Sequence, residues 1–79
     1  NMKSNKYNYL NVIQQNYGQG WEDVSEYVAN SKGVSLEISD KLSPKGRKET
    51  LLSHDVREYR LTGYSTRVIF RKELNTNNN

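Results

Sequence analysis

From Tyr7 to Tyr17 the chain alternates with a period of two, Leu10 and Val12 on one parity and Tyr9, Asn11 and Ile13 on the other. Successive side chains of an extended backbone leave opposite faces, so this pattern predicts a β-strand. Gly18-Gln19-Gly20 breaks it. Glycine accepts positive φ, and a short loop with glycine at both ends reverses the chain tightly. Trp21 to Val28 resumes as a second strand, with Val24, Glu26 and Val28 expected on one side and Trp21, Asp23 and Tyr27 on the other. Together the two segments read as a β-hairpin. Asn30-Ser31-Lys32-Gly33 is a loop signature. Val34, Leu36 and Ile38 then alternate with Ser35 and Glu37, which suits either a short extra strand or an ordered loop laid on the core.

Ser43-Pro44 predicts a helix start, because serine accepts a hydrogen bond from a free backbone N–H and proline loses nothing at the first helical position. Gly46 weakens that first turn by about 1 kcal/mol relative to alanine, which moves the expected start toward Arg47. Leu52, Val56 and Tyr59 recur at i, i+4 and i+7, flanked by Leu51, and form the apolar stripe of an amphipathic helix. Thr62-Gly63 supplies its stop. The last strand runs from Ser65 to Leu74, with Val68, Phe70, Lys72 and Leu74 pointing one way and Arg67, Ile69, Arg71 and Glu73 the other.

The order strand, strand, helix, strand predicts an α+β fold, β-β-α-β, with a three-stranded, mostly antiparallel sheet and one helix packed on one face. A single domain is expected over residues 3–74, followed by a frayed polar tail at 75–79. The helix stripe is expected to meet Leu10, Val12, Val24, Val28, Val68, Phe70 and Leu74. That leaves Tyr7, Tyr9, Ile13, Trp21, Tyr27, Arg67, Ile69 and Arg71 on the open face. A solvated sheet face normally carries threonine, lysine, glutamate and serine. Tyr9, Trp21, Tyr27, Arg67, Ile69 and Arg71 are therefore the candidate partner-binding residues. The set has three readings: a second small core closed by residues 29–42, a protein-binding surface rich in the residue types of interface hot spots, or a stacking platform for single-stranded nucleic acid.

The chain has 79 residues and no cysteine, and 33% of it is hydrophobic. One domain is all this length holds, and a domain so small buries only roughly 60% of its unfolded surface. Without cysteine there are no disulfides or thiolate metal sites. No aliphatic or aromatic run exceeds three residues, the length of Val68-Ile69-Phe70, so neither a signal peptide nor a membrane span is expected. Asn1, ahead of Met2, is read as a remnant outside the natural chain. The formal charge of +3 is uneven: residues 1–40 carry a net −2 and residues 41–79 a net +5. This suits an acidic partner, although the balance is modest for a nucleic-acid binder.

Catalytic chemistry is not expected. His54, the one histidine, lies in Ser53-His54-Asp55, but adjacent helical residues point in different directions and do not make a triad. Glu22 and Asp23 are neighbours on a strand and face opposite sides, so a bond to Arg67 or Arg71 suits them better than paired acid-base work. No spacing suggests a metal site, and Gly18-Gln19-Gly20 lacks the lysine and hydroxyl of a phosphate loop. A non-enzyme without cofactor is the expectation.

Val12-Ile13-Gln14-Gln15-Asn16-Tyr17-Gly18-Gln19-Gly20-Trp21-Glu22-Asp23-Val24 resembles a group of short proteins encoded by bacteriophages and other mobile elements. These pair a VIQxNYGxGWEDV segment with a later LxxYR helix and a final basic strand. Asp55 to Arg60 and Thr66 to Lys72 look like those two parts. The similarity covers about residues 7–28 and 50–73. It implies a setting rather than a mechanism: small non-enzymatic phage accessory proteins often act by binding a host protein, such as a defence or replication factor, and with neither signal peptide nor membrane span expected the host cytoplasm is the expected location. Single-stranded nucleic acid and a homodimer through the same open face stand as alternatives.

Overall fold

The computed structural model describes residues 6–75. Beyond Asn75 the expected polar tail lies outside the described residues, as does Asn1. The elements are β1 (Tyr7–Asn16), β2 (Trp21–Ala29), β3 (Ile38–Leu42), β4 (Lys48–Thr50), α1 (Leu51–Arg60) and β5 (Ser65–Leu74). β1 is the centre of a three-stranded sheet ordered β2-β1-β5, antiparallel on both sides. β3 and β4 pair as a separate two-stranded sheet. The fold is thus α+β, one helix against an antiparallel sheet, with a small hairpin added before the helix. Among the described residues no helix is long and apolar enough to cross a membrane.

The β1–β2 turn follows from its residues. Asn16 Oδ1 accepts from the Gly18 N–H at 2.7 Å and the Gly20 N–H at 3.4 Å, and both glycines have φ above +100°, where a Cβ would be strained. The segment at 34–37 is the ordered loop rather than a strand. It makes one bridge, Ser35 to Ala29, and Asn11 Nδ2 on β1 holds it by donating to Gly33 O and Ser35 Oγ. The extra strand begins at Ile38 instead.

The helix does not start at Ser43-Pro44. Ser43 Oγ accepts from the N–H groups of Lys45 and Arg47, and Gly46 takes φ +76°. The serine therefore nucleates the turn of the β3–β4 hairpin. The helix cap is Thr50, whose Oγ1 accepts from the Ser53 N–H at 3.1 Å. Arg57 on α1 grips Glu49 on β4 with two bonds, of 2.6 and 2.9 Å. At the other end Gly63, φ +88°, turns the chain out of the helix and donates to Arg60 O.

The side of the sheet that α1 covers also differs from the expectation. Tyr9, Asn11, Ile13 and Gln15 of β1 face the helix and the 30–35 loop. Leu10, Val12, Gln14 and Asn16 face away, and on β2 so does Val28. β1 carries apolar residues at both parities, so alternation alone does not orient it. The register shifts between Ile13 and Gln14, with Ser25 opposite Ile13 and Asp23 opposite Gln14. Val24 is the extra residue of a β-bulge. The bulge puts Trp21 and Asp23 in phase with Glu26 and Val28, opposite to Tyr27. On β5 the expected sides hold. Among the described residues the buried hydrophobic ones are Val12, Ile13, Tyr27 and Ala29, and α1 has no fully buried residue.

Candidate functional site

The open face is built in rows across β2, β1 and β5: Val28, Leu10 and Arg71; Glu26, Val12 and Ile69; Asp23, Gln14 and Arg67; Trp21, Asn16 and Ser65. Diagonal contacts tie these rows together. Arg71 Nη1 donates to Asp23 Oδ2 at 2.7 Å, and its Nη2 reaches Asp23 Oδ1 at 3.2 Å. Glu26 lies 3.8 Å from the same guanidinium. The bridge joins the first row to the third, so the Arg71 side chain passes above Val12 in the row between. This accounts for a valine at 0% exposure on a face that no other element covers.

Gln14 sits at the crossing of the network. Its Nε2 donates to Asp23 Oδ1 at 2.8 Å and its Oε1 accepts from Arg67 Nε at 2.8 Å. Arg67 then lies 4.1 Å from the centre of the Trp21 ring, a cation–π stack. Bonds from Arg71 first and Gln14 second hold the Asp23 carboxyl well below the usual range, at about 2, against the opposing effect of desolvation. Arg71 is pushed up in return by its bond to Asp23.

Of the six candidate residues, the structure brings Trp21, Arg67, Ile69 and Arg71 together on this face. Tyr9 and Tyr27 are not on it. Tyr9 stacks on Phe70 on the helix side, ring centres 5.9 Å apart and planes 2° from parallel. Tyr27 is buried and donates to Asp55 Oδ2 of α1. The physical reason is again the bulge at Val24, which separates Tyr27 from Trp21, and the undecided parity of β1. Leu10, Val28 and above all Gln14 belong to the face and escaped sequence reasoning. The signal for Gln14 was its place between two charged strands, Glu22-Asp23 and Arg67, once the register is known.

The other side carries its own polar network. Asp55 Oδ1 lies 2.9 Å from His54 Nδ1, so these neighbours do bond to each other, contrary to the expectation for adjacent helical residues. The contact is not part of a triad: Ser53 Oγ instead accepts from Thr50 Oγ1. Gln15, 2% exposed, places its Nε2 within 3.1 Å of Tyr59 O, Thr62 Oγ1 and Thr66 Oγ1, and its Oε1 accepts from Tyr17 OH. It thereby ties the C-terminal end of α1 to the central strand. Nearly every side chain of the Val12–Val24 motif therefore has an internal role in the core, the turn or the ladder on the open face. Among the described residues no group of three or more histidine, aspartate or glutamate side chains is placed to hold a metal ion. No family model, curated protein or solved structure matches the chain.

Proposed function

We propose that the chain is a non-enzymatic binding module that docks a partner protein on the open sheet face, with Trp21 as the anchor and Arg67 and Ile69 beside it. One observation carries this reading. Trp21 is 38% exposed and is held in place by the Arg67 guanidinium at 4.1 Å. Tryptophan and arginine dominate interface hot spots, and an anchor already ordered in the free protein loses little conformational freedom on binding. Leu10, Val28 and Ile69 extend the face with apolar surface. The resemblance to phage and mobile-element proteins supports a host protein as the partner.

Protein is favoured over nucleic acid by the state of the cations. Arg71 is paired with Asp23 and sits beside Glu26, so the face offers fewer free charges to a phosphate backbone than the strand sequence suggests. The test is capture from a bacterial lysate by the native chain and by Trp21→Ala and Arg67→Ala, each first shown to be folded by circular dichroism. Trp21→Ala is expected to cost about 2 kcal/mol of binding, roughly thirtyfold in affinity. A captured protein retained equally by both variants would overturn the surface assignment.

A further inference from the structure

The two edges of the main sheet are built differently. The outer edge of β2 is interrupted by the bulge at Val24 and met near its end by the Ser35–Ala29 bridge. Bulges, covering loops and edge charges are how sheets avoid pairing with other chains. β5 has no bulge and no covering loop, and its charges, on Arg67, Arg71, Lys72 and Glu73, are of both signs. It runs ten residues against β1 without a register shift, contains no proline, and among the described residues pairs with nothing on its outer side. Its helix-side residues are also poorly covered: Val68 is 40%, Phe70 49% and Leu74 59% exposed.

The direction of the free backbone groups follows from the ladder. The Asn75 N–H donates to Lys6 O at 2.8 Å, and an unbroken antiparallel ladder alternates inward and outward. Ser65, Arg67, Ile69, Arg71 and Glu73 therefore turn their backbone groups toward β1. Thr66, Val68, Phe70, Lys72 and Leu74 turn theirs to the free edge. A second β5 related by a two-fold axis at Phe70 pairs Thr66 with Leu74, Val68 with Lys72 and Phe70 with itself. All of these are outward-directed, giving about ten new backbone hydrogen bonds.

That register also sets Arg67 of each copy opposite Glu73 of the other on the open face; the Arg67 guanidinium reaches inward to Gln14 and Trp21, so the attraction acts across the strand pair rather than as a direct bridge. Among the described residues Glu73 makes no ion pair within its own chain. A two-fold axis at Ile69 instead sets Arg67 against Arg71, and one at Arg71 sets that residue against itself. Like charges directly opposite destabilise a pair of strands. An axis at Val68 sets no charge opposite another and one at Lys72 sets that lysine against itself, so the axis at Phe70 is the register that brings opposite charges together without a like-charge pair. We propose that the free edge of β5 is a self-association surface, on which two copies pair antiparallel about Phe70 and join their sheets into one of six strands. The seam takes in Val68, Phe70 and Leu74 on the helix side and sets the two open faces side by side.

The test is sedimentation equilibrium of the full chain from micromolar to millimolar concentration. The native chain is expected to reach the mass of a dimer and stop there. Glu73→Lys replaces two attractions with two repulsions and is expected to weaken self-association about tenfold. Arg67→Glu does the same from the other side. An equimolar mixture of the two variants restores both pairs and is expected to form a mixed dimer as tight as the native one. A native chain that stays monomeric, or a mass that grows past the dimer, overturns the proposal, as does a Glu73→Lys chain that associates like the native one. Variants that each weaken but do not rescue one another overturn the register at Phe70. If circular dichroism shows Arg67→Glu unfolded, the comparison of Glu73→Lys with the native chain decides. The readout is mass alone, so it stands apart from capture of a partner on Trp21.

Discussion

Asn11, Gln14 and Gln15 lie in the central strand and are nearly as buried as Val12 and Ile13 between them. Each bonds a different part of the molecule: the 33–35 loop, the ladder on the open face and the end of α1. A buried amide is tolerable only when its bonds are made, so these side chains demand that their partners be in place. Tyr27 applies the same logic to ionisation. Burial first, and then its bond to Asp55, pushes its hydroxyl from the ordinary 10.0 up to about 12. Its folded value is raised, so the stability it contributes is complete below pH 10 and is lost as pH rises toward 12. Tyrosinate absorbance of the native chain is expected to keep rising to about pH 12, and Tyr27→Phe to remove that last increment. Its absence from the native titration would contradict the assignment. Asp55 behaves oppositely on the acid side. Burial raises its carboxyl, but bonds from Tyr27 and His54 prevail and hold it below the usual range. Its contribution is present above that range and fades as pH falls through the lower folded value.

At the scale of elements, the helix was legible as a stripe but not at its start. Leu52, Val56 and Tyr59 and the stop at Gly63 are where the 3.6-residue period places them. Ser43-Pro44 misled because serine accepts backbone N–H bonds equally well in a tight turn. Gly46 at positive φ decides for the turn. Thr50 is the cap, so Thr50→Ala is expected to cost about 1 kcal/mol, measured by urea unfolding, whereas Ser43→Ala leaves the helix intact. The boundaries of β1, β2 and β5 were legible within a residue or so, since Gly18, Gly20 and Gly63 punctuate them, whereas those of β3 and β4 were not. The bulge was not. Nothing local to Val24 announces it, and it sets which side Trp21 shares.

For the whole molecule the decisive feature is a thin core beside an edge strand that, among the described residues, pairs with nothing on its outer side. Few hydrophobic residues are buried, and β5 leaves Val68, Phe70 and Leu74 in contact with solvent. Association that favours the folded chain raises its apparent stability with concentration. The melting temperature of the native chain is therefore expected to climb with protein concentration, and that of Glu73→Lys to climb less. A melting temperature independent of concentration in both contradicts the edge pairing.

The sequence by itself determined the α+β class, the hairpin around Gly18 and Gly20, the amphipathic helix and the two sides of β5. Each of these depends on local periodicity or backbone chemistry. Only the tertiary structure decided which side of β1 the helix covers and which aromatic residues stay outside. β1 is apolar on both parities, and a single extra residue in β2 reverses the phase of everything before it. The candidate face therefore keeps Trp21, Arg67, Ile69 and Arg71, gives up Tyr9 and Tyr27 to the helix side, and gains Gln14 as the residue that holds it together.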